Sequence, residues 1–303
     1  MLVFWILFNL FVLAMLALDL GALNRRPQSV SVRRALVWSG LWIALAAAFA
    51  VLEFLWQGRA PALQFVTGYV IELMLSVDNL FVFLLIFRYF KVPGEYQHKV
   101  LVGGILGALL MRGAFIGAGV GLVRRFRWIT YGLGALLVYS GAKLLRPAQA
   151  DIRPEKNPVL RMLRRVLPVT EDYVNGRFFT RRQGLYATPL LVALLVVESS
   201  DLLLAMDSIP AVLGITLNPF IIYTSNVFAI LGLRSMYFAL AGMLDLFYYL
   251  HYGLSAVLIL VGLKMLGSHY VNISTEWTLA TVLCLLGASI LASLLNPKRK
   301  SAE

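Results

Sequence analysis

The sequence predicts an all-α polytopic membrane protein, and three observations carry that expectation. Of its 303 residues 60% are hydrophobic and only 14% charged; the apolar residues gather in runs of about twenty; and the basic residues collect between those runs rather than inside them. Soluble domains are roughly half apolar, whereas a helix crossing hydrocarbon needs about 20 apolar residues. The bilayer is therefore the expected solvent.

Nine runs meet this length, near 1–20, 35–56, 65–88, 100–123, 128–146, 187–209, 219–243, 246–266 and 278–295. The first has no basic residue ahead of it and no small-residue cleavage site, so it is expected to remain as helix 1 and not to be a signal peptide. Spans 1–2 (within 1–64) are expected to be peripheral. Spans 3–5 fall in 65–146 and spans 6–8 in 187–267. Between them, 147–186 reads as a basic, proline-punctuated cytoplasmic linker that touches anionic lipid headgroups, and 268–303 holds span 9 and a basic tail.

The net charge of +12 invites a nucleic-acid reading, but its placement argues for membrane topology, because Lys and Arg accumulate in cytoplasmic loops. With the N-terminus outside and the C-terminus inside, 19 of 27 basic residues lie in cytoplasmic segments and four outside. Those four are Arg59 and the dissenting cluster Arg124, Arg125 and Arg127. The remaining four, Arg112, Lys143, Arg234 and Lys264, fall within spans or at their ends. The lone Cys284 excludes an intramolecular disulfide and a cysteine-based metal site. No phosphate-cradling, nucleotide-binding or hydrolytic motif is present, so an enzyme, a resident cofactor and an ATP-driven pump are all disfavoured.

An internal repeat is visible. YGLGALLVYSGAKLL (131–145) matches YGLSAVLILVGLKML (252–266), and ELMLSVD (72–78) matches DLLLAMD (201–207). Arg112 precedes Lys143 by 31 residues and Arg234 precedes Lys264 by 30. Three spans per unit force the second unit into the membrane with opposite orientation, so spans 3–5 and 6–8 read as inverted repeats, an architecture typical of secondary transporters.

Acids near the bilayer centre cost about 2.5–3.5 kcal/mol each, so Glu72, Asp78, Glu198, Asp201 and Asp207 together would cost roughly 12–17 kcal/mol unpaired. Partners are required. Arg112, Arg234, Lys143 and Lys264 are candidate counter-ions, a transported cation is the other kind, and buried ion pairs with no ligand are a structural alternative. A spacing of six turns a side chain by about 240°, which predicts an irregular third helix, and Pro210 predicts a local break beside Asp207. The available ligands are carboxylates, the amides of Asn79 and Asn226, and the hydroxyls of Ser208 and Ser225. Such an oxygen set suits Mg, Ca or Mn. His98, His251 and His269 lie near span ends and read as interfacial residues.

The stretches IELMLSVDNLFVFLLIFRYFKVPGEYQHKVL (71–101), GILGALLMRGAFI (104–116) and ESSDLLLAMDSIPAVLGITLNPFIIYTSNVFAILGLRSMYFAL (198–240) resemble the TerC/Alx family over most of 35–267. Members are integral membrane proteins named for tellurite resistance, several of them associated with manganese efflux. The resemblance implies a multi-pass protein of a bacterial inner membrane that exports Mn(II), with Ca and Mg as alternatives. It transfers motif positions to Glu72, Asp78, Asn79, Asp201, Asp207, Ser208 and Asn226, and to Glu198 less directly. Alternating access, with protons as possible counter-substrate, is the expected mechanism. The rival expectation is an accessory partner of the membrane-protein insertion or secretion machinery, docked through 147–186.

Overall fold

The computed structural model describes residues 2–23, 32–145, 168–170, 172–174, 176–181, 184–240, 249–270 and 273–295. Among them nine helices form: α1 (Leu2–Leu23), α2 (Val32–Gln57), α3 (Arg59–Tyr89), α4 (Gly94–Arg125), α5 (Ile129–Leu144), α6 (Pro189–Leu213), α7 (Pro219–Leu240), α8 (Leu250–Leu266) and α9 (Thr275–Leu295). Five of these, α2, α3, α4, α6 and α9, are long and apolar enough to cross a membrane, and α8 and the described part of α1 are shorter apolar helices. The all-α polytopic class is thus observed.

Two local expectations are corrected. The third helix is continuous over 31 residues, so the six-residue acid spacing does not distort it. Pro210 lies inside α6, which continues through it to Leu213. A proline removes one helical hydrogen bond, but close packing holds the chain on course: Ile209, Pro210, Ala211 and Val212 are all buried.

The core is built by α3, α4, α6, α7 and α8, whose buried side chains include Ile71, Leu80, Leu101, Val196, Leu233 and Val261. A second, aromatic cluster ties α1 and α2 to it, with Phe8 and Phe49 packed against Phe228 of α7. Asn9 contributes a polar stitch there, accepting from the Tyr223 hydroxyl at 2.8 Å. The outer faces of α1, α2 and α9 expose Leu7, Leu55 and Leu291, the surface expected of helices that face lipid.

The tightest helix contact is the seam between α5 and α8. A Cβ on Gly262 would lie 2.7 Å from the Gly134 carbonyl oxygen, and the Ser255 hydroxyl donates to the Gly141 carbonyl at 2.5 Å. Since 134 meets 262 while 141 meets 255, the two helices run antiparallel. Small residues permit this approach because two backbones can then touch, which is how helices associate where hydrophobic attraction between them is weak.

The described residues between 168 and 188, at the end of the linker, carry a feature that was not expected, a two-stranded antiparallel sheet of β1 (Phe179–Arg181) and β2 (Leu185–Ala187). This strap is bonded to the turn joining α3 and α4, where the Tyr173 hydroxyl donates to the Phe90 carbonyl at 2.6 Å, and to the start of α4, where Lys99 Nζ donates to the Gly176 carbonyl at 3.1 Å. Burial pushes the Tyr173 hydroxyl pKa up to about 12, so it stays a donor. At its other end the Thr188 hydroxyl, just before α6, donates to the Arg177 carbonyl at 2.6 Å.

Candidate functional site

The polar centre of the molecule is assembled from four long helices, each contributing near its midpoint: Glu72 and Asn79 from α3, Arg112 from α4, Asp201 from α6 and Asn226 from α7. Fractional exposures of 0% for Glu72, 2% for Arg112 and 5% for Asp201 place the charges deep inside. The Arg112 guanidinium joins the two acids. Nη1 donates to Glu72 Oε2 at 2.7 Å and to Asn226 Oδ1 at 3.3 Å, Nη2 donates to Asp201 Oδ1 at 3.3 Å, and Nε to Asp201 Oδ2 at 3.5 Å. Asn79 Nδ2 adds a contact to Asp201 Oδ1 at 3.4 Å.

These bonds are unequal. Charge-assisted N–H···O bonds cluster near 2.7–2.9 Å, so the guanidinium grips Glu72 firmly, while its contacts to Asp201 lie at or beyond the long end of the usual range. Three buried polar atoms here, Glu72 Oε1, Ser76 Oγ and Asn226 Nδ2, have no hydrogen-bond partner within 3.5 Å, and Ser208 Oγ, two turns beyond Asp201 on α6, is buried without one as well. Unsatisfied buried groups are costly, so the centre holds unused capacity for a cation, a water or a proton.

Glu198 sits one turn before Asp201 on α6. Its carboxylate fills a notch that exists because α4 has glycine opposite: a Cβ on Gly107 would fall on both carboxylate oxygens. Glu198 Oε1 is buried without a partner. Glu198 and Asp201 line a small cavity of about 20 Å³ together with Phe83, Gly104 and Ala108, room for about one water-sized species.

The remaining predicted residues are dispersed. Asp207 is half-buried and turned to α5, where the Ser140 hydroxyl donates to its Oδ1 at 2.5 Å. Ser225 is buried and donates to the Ile222 carbonyl at 3.1 Å. Lys143 is exposed, and Lys264 donates to the Thr278 hydroxyl of α9 at 3.0 Å. Asp78 and Arg234 lie outside the described side chains. Among the described residues no three of His, Cys, Asp and Glu converge into a metal centre. Of the three candidate counter-ions whose side chains are described, Arg112 is observed with the acids and Lys143 and Lys264 are not.

Sequence reasoning passed over several residues. Ser76, one turn from Glu72 on the same face, was legible from the i, i+4 spacing. Glu53 is a sixth intramembrane acid, 2% exposed, accepting from Gln57 Nε2 at 2.6 Å, and an acid inside an apolar run was the available signal. Ser140 gave none, since nothing local marks a serine as the partner of an acid 67 residues away.

Comparison with known proteins finds membrane proteins among the relatives. The chain is 48% identical over 295 residues to an uncharacterized membrane protein STKORF319 of Myxococcus xanthus, covering 97% of this chain and 92% of the relative. It is 42% identical over 293 residues to a protein of Escherichia coli strain K12 provisionally named membrane-bound redox modulator Alx, covering 93% and 91%. A Photorhabdus laumondii protein with the same provisional name is 40% identical over 310 residues, covering 99% and 97%. No solved structure matches the chain. The model of the integral membrane protein TerC family matches residues 57–301, a span that includes every residue of the buried cluster, and the chain belongs to that family.

Proposed function

We propose that this protein is a transporter, not an enzyme, that exports a divalent metal cation, Mn(II) first among candidates, from the cytoplasm through the Glu72–Arg112–Asp201 centre. One observation carries the reading: carboxylates from two different parts of the chain meet on one guanidinium at mid-membrane, with a third, Glu198, unpartnered beside them. With a cation bound to keep all three carboxylates ionised, three carboxylates against one guanidinium leave two negative charges, the complement of one dication. Asp201, loosely held, is the acid an incoming cation would win first, and the amides of Asn79 and Asn226 supply further hard oxygens of the kind Mn, Mg or Ca favour.

Alternating access between inverted repeats is supported by the α5–α8 seam. The repeat equates Gly134 with Ser255 and Gly141 with Gly262. Gly134 touches Gly262 while Gly141 touches Ser255, so each position meets the counterpart of the other, the reciprocity of a two-fold interface. On release outside, proton uptake by the vacated carboxylates would offset the lost charge. The positive-inside count supports an N-terminus outside and a C-terminus in the cytoplasm, and the family resemblance implies a bacterial inner membrane. A thiol-based redox role, which the relatives' name brings to mind, would need a partner thiol from another molecule, because Cys284 is the single cysteine. The accessory-partner alternative needs no buried acid.

Manganese uptake into inverted membrane vesicles tests the proposal. Asp201→Asn should reduce uptake at least tenfold with the protein still folded and inserted. Uptake at the wild-type rate would refute the site.

A further inference from the structure

The cluster Arg124, Arg125 and Arg127 runs against the topology count and takes no part in the buried centre. Arg124 is engaged, its Nη2 donating to the Leu217 carbonyl at 3.0 Å. Arg125 and Arg127 are exposed, and among the described residues they form no ion pair. Beside them an apolar groove of about 330 Å³ opens between α4, α5 and α6, bounded by Phe115, Leu122, Ile129, Leu136, Leu202 and Leu213.

Leu122, Ile129 and Leu213 all lie at the α4–α5 loop end of their helices. Arg125 follows Leu122 by three residues, which keeps it on the stripe that lines the groove. Between Leu202 and Leu213 α6 rises about 16 Å at 1.5 Å per residue, close to the ~15 Å depth of one leaflet's hydrocarbon. Phe126 and Trp128, 45% and 69% exposed, flank the mouth, where aromatic side chains mark the membrane interface.

A groove one leaflet deep, apolar along its length and rimmed by two guanidiniums without acidic partners, has the chemistry of a lipid site. We propose that it holds one anionic phospholipid, an acyl chain in the groove and the phosphate on Arg125 and Arg127. The site is independent of any transported ion. It also gives the dissenting basic cluster a role: a bound headgroup neutralises charge that topology disfavours on that side.

Native mass spectrometry of the full chain in mild detergent, with equal amounts of dioleoyl phosphatidylglycerol and dioleoyl phosphatidylcholine, tests this. Wild type should retain one lipid with roughly 25-fold preference for phosphatidylglycerol, at about fivefold per arginine. Arg125→Ala/Arg127→Ala should erase the preference while leaving the thermal midpoint in detergent alone unchanged. Ala118→Phe, which fills the groove, should lose lipid of both kinds, and glycerophosphate, a headgroup without chains, should not compete. Equal retention of the two lipids by wild type overturns the proposal, as does a preference that survives loss of both arginines or full competition by glycerophosphate. A lipid-free dimer would assign the groove to a second copy of the chain and overturn it equally.

Discussion

Replacing Arg112 by methionine keeps most of the side chain's bulk and removes its charge, leaving Glu72 and Asp201 buried without their counter-ion. Breaking a buried ion pair by removing one partner costs about 3–5 kcal/mol, and the loss should divide unevenly. The 2.7 Å bond to Glu72 is short and charge-assisted, while those to Asp201 run from 3.3 to 3.5 Å. Contacting residues in one network couple by about 0.5–3 kcal/mol, so the Arg112–Glu72 coupling should fall near the top of that range, at about 2–3 kcal/mol, and the Arg112–Asp201 coupling below about 1 kcal/mol. The assay is equilibrium unfolding of purified protein in mixed micelles with rising dodecyl sulfate, followed by helical circular dichroism. Arg112→Met, Glu72→Gln, Asp201→Asn and the two double variants complete the cycles. An Arg112–Asp201 coupling equal to or above that of Arg112–Glu72 would refute the reasoning, as would a loss below about 1 kcal/mol for Arg112→Met.

Two further predictions concern glycines that hold open a needed space. Gly107→Ala places a methyl where the Glu198 carboxylate lies, so the acid must leave its notch. Helical content should be unchanged and manganese uptake in vesicles should drop to the level of Glu198→Gln; wild-type uptake would remove Glu198 from the pathway. Gly262→Ala brings a methyl to 2.7 Å from the Gly134 carbonyl oxygen and forces the α5–α8 seam apart. It should destabilise by about 1–3 kcal/mol in the same unfolding assay, whereas Gly287→Ala, with nothing within 4 Å of its added methyl, should be neutral.

Composition and the length of apolar runs made the helices legible, because the bilayer admits so few alternatives for backbone hydrogen bonding. Helix ends were less so. The third helix begins at Arg59 instead of near 65 and the fourth at Gly94 instead of near 100, since hydropathy falls over those first residues while helical bonding continues. The pairing of Glu72 with Asp201 was foreshadowed by the repeat, and the choice of Arg112 as their common partner by its place inside a span. The turn of Asp207 towards Ser140 was not foreshadowed: it depends on how α5 leans against α6, which packing decides and periodicity does not record. The strap's strands of three residues each carry too little pattern to read. The Pro210 expectation failed because a rule about one missing hydrogen bond was set against a run of buried contacts that outweighs it.

The strap has a mechanical consequence. It is bonded at one end to the α3–α4 turn through Tyr173 and to the start of α4 through Lys99, and at the other to the start of α6 through Thr188, with its own paired strands between them. Those anchors lie at the same end of the bundle, so the first and second groups of three helices are latched together there. Any rocking of one group against the other must pivot about this latch, with the widest gap at the far end, towards Leu217 and the arginine loop. The tether that joins the halves in sequence would then set the axis on which they turn.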